Sequence, residues 1–186
     1  REGEIMGIIG PNGAGKTTLF NVISGFLKPT EGDIFFRGEK ITGLRPYRIA
    51  RKGLVRSFQS ARLFPAFPCI GNLMVAHHLH KEFSFWGAML NTRAYAAREK
   101  EITDRSMAIL KFLGMAERFA IPSRDIPYGY QKMIGIAMAL ATGADVLLLD
   151  EPVAGMNAPE AKGMSKEILR IRKNLGKTIV FVEHNM

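Results

Sequence analysis

A chain of 186 residues with 47% hydrophobic content can bury one sizeable core, and nothing in it reads as a disordered polymer. Cys69 stands alone, which excludes an internal disulfide; no apolar run is long enough to cross a bilayer as a helix, and the start at Arg1 shows no signal-peptide pattern, so a reducing cytoplasmic setting is expected. The formal charge of +9 concentrates between residues 37 and 62, where Arg37, Lys40, Arg45, Arg48, Arg51, Lys52, Arg56 and Arg62 face only Glu39, a stretch read as a solvated basic face without a nucleic-acid motif.

The first predicted element is a buried strand, Ile5 to Ile9. Directly after it, Gly10-Pro11-Asn12-Gly13-Ala14-Gly15-Lys16-Thr17-Thr18 fits G-x-x-x-x-G-K-[ST], and the helical run Leu19 to Ser24 completes the strand, loop and helix that this pattern requires. Gly13 and Gly15 let the backbone curl so that its N–H groups and the positive end of the helix face phosphate oxygens. The candidate triphosphate cradle comprises Gly10, Asn12, Gly13, Ala14, Gly15, Lys16, Thr17 and Thr18. Lys16 brings a mobile charge for the β- and γ-phosphates, and the Thr17 hydroxyl is a candidate ligand for Mg2+. Farther on, Gly32 to Gly38 reads as a short strand between turns, with no obvious partner for Ile34 to Phe36.

A second buried strand, Leu54 to Phe58, leads into Gln59. Residues 59 to 143 turn helical, with Ile102, Ile109, Leu110 and Leu113 forming an apolar stripe that ends at Gly114, a predicted C-cap. The runs Val146 to Leu149 and Thr178 to Val182 are again strands, followed by Asp150-Glu151 and by Glu183-His184. Between them a helix is predicted from Pro159 to Leu175, with Met164, Ile168, Ile171 and Leu175 at helical spacing and Gly176 closing it. Ligands of open α/β sheets bind beyond the carboxyl ends of the strands, so these four strand ends are expected to converge on one site. There Asp150 is suited to hold Mg2+, Glu151 to polarise the attacking water, Gln59 to link metal and water, and His184 to donate to the γ-phosphate.

These motifs together resemble the nucleotide-binding domain of ABC transporters. Gly10 to Thr18 is similar to the Walker A motif, Gln59 to the Q-loop, Val146 to Glu151 to Walker B, Ala154-Gly155-Met156-Asn157 to the D-loop and His184 to the switch histidine. Val55 to Gln59, Arg62-Leu63-Phe64-Pro65 and Val182 to Met186 resemble the ATP-binding subunits of branched-chain amino-acid importers. The resemblance implies an α/β fold of the P-loop NTPase (RecA-like) type, with a mostly parallel sheet. Its core would be residues 1–58 and 144–186, and its helical subdomain residues 59–143. ATP and Mg2+ are the implied cofactors, with Thr17, Gln59 and Asp150 at the metal and Lys16, Gln59, Glu151 and His184 in catalysis. Pro127, Gly129 and Asn157 would contact nucleotide.

The signature segment reads Ile126-Pro127-Tyr128-Gly129-Tyr130, with Pro127 in place of a serine and Met138 in place of an arginine, so hydrolysis at a partner's site stays an open question at this point. Against the family the chain is expected to be truncated at both ends, which would leave the strand around Ile34 to Phe36 unpaired. The implied partners are a second ABC ATPase subunit, identical or different, transmembrane permease subunits and, indirectly, a solute-binding protein. The implied location is the cytoplasmic side of the membrane, peripherally attached. Two other classes stay open on the residues alone: a soluble ABC ATPase acting on nucleic acid or ribosomes, and a weakly hydrolytic regulatory subunit.

Overall fold

Four apolar runs fold as parallel strands in the computed structural model, which describes residues 2–57, 63–80 and 92–183. They are β1 (Ile5–Ile9), β4 (Leu54–Ser57), β5 (Val146–Asp150) and β6 (Thr178–Glu183), and they lie side by side in the order β1-β6-β5-β4. Each of these segments is rich in Val, Ile or Leu, the composition of strands that pack against cover on their faces. β5 is the extreme case, with Leu147, Leu148 and Leu149 buried. Strands are therefore present at all four expected places, but β1, expected to be buried, leaves Met6 and Ile9 about half exposed. β5 and β6 each run one residue past their apolar runs, to Asp150 and Glu183, and Phe58 lies outside the described residues.

The chain divides into two compact units, residues 1–60 with 144–186 and residues 61–143. In the first, α1 (Lys16–Ile23) buries Phe20 against Ile41, Ile49, Leu54, Leu148 and Val182, which form the core beside the sheet. β5 is joined to β6 by α6 (Ala158–Leu175), whose Met164, Ile168 and Ile171 are buried as the spacing predicts. Leu175, expected on that stripe, is exposed in the last turn, where the chain already bends through Gly176 at φ 64°. The helix starts at Ala158 because Asn157 and Glu160 form a reciprocal capping box: Asn157 Oδ1 accepts from the Glu160 N–H at 2.9 Å and Glu160 Oε2 from the Asn157 N–H at 3.1 Å.

The strand expected to be unpaired does have a partner. β2 (Phe35–Phe36) pairs antiparallel with β3 (Glu39–Lys40), and the Ile41 N–H donates to the Ile34 carbonyl at 2.9 Å. Arg37 and Gly38 connect them with φ of 52° and 78°, both in the left-handed region that a two-residue hairpin turn requires. Neighbouring α2 (Pro46–Arg51) takes Pro46 in its first turn and buries Ile49.

The basic stretch is also less bare than its sequence. Arg37 pairs with Asp145 at 2.9 Å and Glu2 at 3.5 Å, Lys40 with Asp33 at 2.7 Å, Lys52 with Glu39, and Arg56 with Asp150 at 2.5 Å. Acidic residues outside the counted stretch, Glu2, Asp33, Asp145 and Asp150, thus neutralise Arg37, Lys40 and Arg56, which the local count left unbalanced. Burial alone would raise the Asp145 carboxyl, but Lys177 and Arg37 hold it below its ordinary range.

In the second unit, α3 (Cys69–His77), α4 (Arg93–Phe112) and α5 (Tyr128–Ala141) pack on one another. Ile102, Leu110 and Leu113 are buried and Gly114 turns at φ 67°, as the stripe and its cap predict. Asn72, fully buried in α3, staples the preceding loop: its carboxamide oxygen accepts from the Phe64 N–H at 2.8 Å and its NH2 donates to Ser123 Oγ at 2.9 Å. Buried Cys69 at the start of α3 has its thiol pushed above the ordinary value by desolvation.

Candidate nucleotide site

Parallel pairing decides which residues share an end of the sheet. Ile9 lies opposite Glu183, Val182 opposite Asp150 and Leu149 opposite Ser57, so four chain segments leave the sheet at one edge within a residue or two of each other. The first is the glycine loop leaving β1. Gly13 and Gly15 sit at φ 80° and 85°, and a Cβ built on either meets nothing within 4 Å. Conformation, not space, therefore demands glycine, since an L residue in that region costs about 1–2 kcal/mol.

Gly15 caps α1 with no side-chain hydrogen bond, and no acidic residue occupies the first turn, so the helix does not neutralise its own positive end. Lys16 is buried, and its Nζ donates to the carbonyls of Gly10 at 2.5 Å and Pro11 at 2.9 Å, across the base of the loop. Thr17 and Thr18 are exposed, as are Asn12, Gly13 and Ala14. The loop thus presents backbone and hydroxyls outward while its lysine folds beneath.

At the end of β5, Asp150 and Glu151 are both buried. Asp150 Oδ2 takes the Arg56 guanidinium at 2.5 Å, whereas Oδ1 is buried with no hydrogen-bond partner among the described residues. Glu151 lies at φ 48°, left-handed for a residue with a side chain, and its N–H donates to the Val182 carbonyl at 3.0 Å. Strain of this kind persists only where the surroundings over-determine it, and it clusters at functional sites. Beside it, Glu183 Oε1 accepts from the Val153 N–H at 3.4 Å, tying the end of β6 to the turn after β5.

Gln59 and His184, expected at the same edge, lie outside the described residues. The remaining predicted residues are found elsewhere in the chain. Pro127 caps α5 and Gly129 sits in its first turn, with the preceding carbonyl of Ile126 held by Gln131 Nε2 at 3.0 Å. Tyr128 and Tyr130 are half exposed, under Lys132 at 5.3 Å and Arg118 at 4.2 Å. Asn157 commits its side chain to the α6 cap. Sequence reasoning missed Arg56 and Asn21 as site residues and counted Arg56 as surface charge. A charged residue inside the apolar run Leu54 to Phe58 was the available signal, because such a residue must find a partner when it is buried.

A glycine-rich loop between strand and helix, at the same sheet edge as a buried acidic pair, defines an α/β P-loop nucleoside triphosphatase. The chain belongs to the ABC transporter family, whose pattern matches residues 1–154. It is 40% identical, over all 186 of its residues and 73% of the relative, to the high-affinity branched-chain amino acid transport ATP-binding protein LivG of Salmonella typhimurium. The ADP conformation of MJ1267, an ATP-binding cassette of an ABC transporter, superposes with a TM-score of 0.83 at 30% identity, over 100% of this chain and 72% of that one. A dimeric, post-hydrolysis state of the cassette MJ0796, bound to ADP and Pi, gives 0.79 at 25% identity, over 100% and 76%.

Proposed function

We propose that this chain is one of two ATP-hydrolysing cassettes that drive a permease importing branched-chain amino acids, working from the cytoplasmic side of the membrane. The observation that carries the ATPase reading is the sheet register, which brings the glycine loop and the Asp150-Glu151 pair to one edge. The solute class is supported by identity to LivG across the whole chain, and the dimer by the likeness to MJ0796. Among the described residues no helix is long and apolar enough to cross a membrane. The nucleic-acid alternative leaned on the basic segment, and four of its cations are paired within the chain.

In this reading the loop N–H groups from Gly13 to Thr18 bind the phosphate chain, and Lys16 exchanges its carbonyl partners for the β- and γ-phosphates. The Oδ1 of Asp150, which has no hydrogen-bond partner among the described residues, is the kind of acceptor that a hydrated divalent cation satisfies, so the donor set fits Mg2+. Thr17, Asp150 and Gln59 would hold that ion, which when bound neutralises charge on the β- and γ-phosphates. Glu151 accepts hydrogen bonding from the attacking water and draws off its proton, and His184 donates to the γ-phosphate as charge develops there. Pro127 and Gly129 serve the nucleotide of the partner cassette rather than this chain's own, and the D-loop residue Asn157 lies beside that shared interface.

The test is genetic and biochemical together. A strain lacking its own branched-chain importer cassette, supplied with this protein and its native permease, should regain uptake of labelled leucine, and the Lys16→Ala protein should not restore it. Restored uptake with Lys16→Ala, or uptake of a chemically unrelated solute alone, would overturn the reading.

A further inference from the structure

The Walker-type aspartate does not stand alone in this chain. Arg56 leaves the middle of β4 with its side chain almost wholly buried, 7% exposed against 1% for Asp150. Its Nη2 donates to Asp150 Oδ2 and its Nη1 to Asn21 Oδ1, both at 2.5 Å, while the guanidinium lies 5.7 Å from the centre of the Phe20 ring. Phe20 and Asn21 belong to α1, the helix that begins at the phosphate loop, so one guanidinium joins that helix to β4 and β5. Because Arg56 claims one carboxylate oxygen, the other is left as a buried acceptor without a partner among the described residues.

We infer that Arg56 is the positioning residue for Asp150: it fixes the carboxylate by one oxygen, anchored through Asn21, and thereby presents the other to the metal that accompanies the nucleotide. This rests on the reading of Asp150 as a metal ligand given above. The fork geometry of arginine suits the task, since two parallel arms reach a carboxylate and a carboxamide on different elements at once. Groups that orient a ligand from behind typically change metal affinity by about 10–100-fold when they are removed.

The experiment measures how much Mn2+ tightens binding of a non-hydrolysable ATP analogue to the full chain, with the electron paramagnetic resonance signal of bound Mn2+ read in parallel. Arg56→Met should lose at least about tenfold of the metal-dependent gain while metal-free nucleotide affinity holds within about twofold, and Arg56→Lys should recover most of the loss. Adding Arg56→Met to Asp150→Asn should weaken metal binding no further than Asp150→Asn alone, because the arginine acts through that carboxylate. Should Arg56→Met fail to fold, Asn21→Ala, which removes only the anchor, is expected to lose about threefold of the same gain.

Unchanged or tighter metal binding in Arg56→Met, an unchanged gain in Asn21→Ala, or losses that simply add in the double variant would overturn the inference. If Mn2+ leaves nucleotide affinity of the unaltered protein unchanged, the fault lies with Asp150 as a metal ligand, and the inference falls with it.

Discussion

Glu151 offers a way to separate what the fold wants from what the reaction wants. Its φ of 48° places a side-chain-bearing residue in left-handed backbone, at a cost of about 1–2 kcal/mol. Glycine in the same place would relieve that cost but give back about 0.5–1 kcal/mol of chain entropy. On the backbone alone Glu151→Gly is therefore expected to gain about 0–1.5 kcal/mol, which shows as a urea midpoint no lower than the original's at constant slope. Glu151→Gln keeps both the side-chain volume and the strained backbone, so it gains nothing from backbone relief. In ATPase assays of the assembled complex both variants should fall by at least about 100-fold, or about 2.7 kcal/mol of activation free energy, as expected when a positioned base is lost. Glutamine should also trap an ATP-bound dimer. A Glu151→Gly protein clearly less stable than the original would refute the strain argument. Near-normal turnover by Glu151→Gln, with the partner's site silenced, would refute the base.

The signature segment should act in trans: in a heterodimer Gly129→Asp is expected to cripple hydrolysis at the partner's site through like-charge repulsion with the γ-phosphate, while this chain's own site still binds nucleotide in site-resolved trapping. Asn72→Ala strands the Phe64 N–H and Ser123 hydroxyl of a buried network, so urea unfolding should show a loss of about 3 kcal/mol. Asp145 is held below its ordinary carboxylate range, so its contribution to stability is complete above about pH 4 and is lost as pH falls through the lowered value. Chemical denaturation from pH 6 to 3 should therefore show Asp145→Asn trailing the original protein by under about 1 kcal/mol at pH 6, because the carboxylate is partly exposed, and the gap narrowing as the pH falls.

Elements with a strong local code were legible in the sequence. The four parallel strands are continuous apolar runs, α6 has its proline, its buried period and its glycine stop, and the phosphate loop is specified by spacing alone. The β2–β3 hairpin was hidden because its turn uses Arg37 where Asn, Asp or Gly would advertise a left-handed position. Ion pairs were invisible for a different reason. Arg37 and Asp145 are 108 residues apart and Arg56 and Asp150 are 94 apart, so a local charge count assigns each to solvent when the fold assigns each to the other. Asn72 was hidden likewise, since nothing in its neighbours announces that the loop from Phe64 to Pro68 folds back over it.

The two acidic residues that bracket β5 show how one strand can be held differently at its two ends. Asp145, just before the strand, is 44% exposed and shared between Arg37 and Lys177, an arrangement that water screens and whose geometry is worth little to stability. Asp150, at the other end, is sealed under a single guanidinium, where losing the counter-charge costs about 3–5 kcal/mol. The sheet thus tolerates change at its amino edge and resists it where the glycine loop and Glu151 lie. A buried pair of this kind adds little to stability beyond what apolar packing would supply. Its presence at the nucleotide end fits a demand for a fixed carboxylate, which leucine or methionine in the same space could not meet.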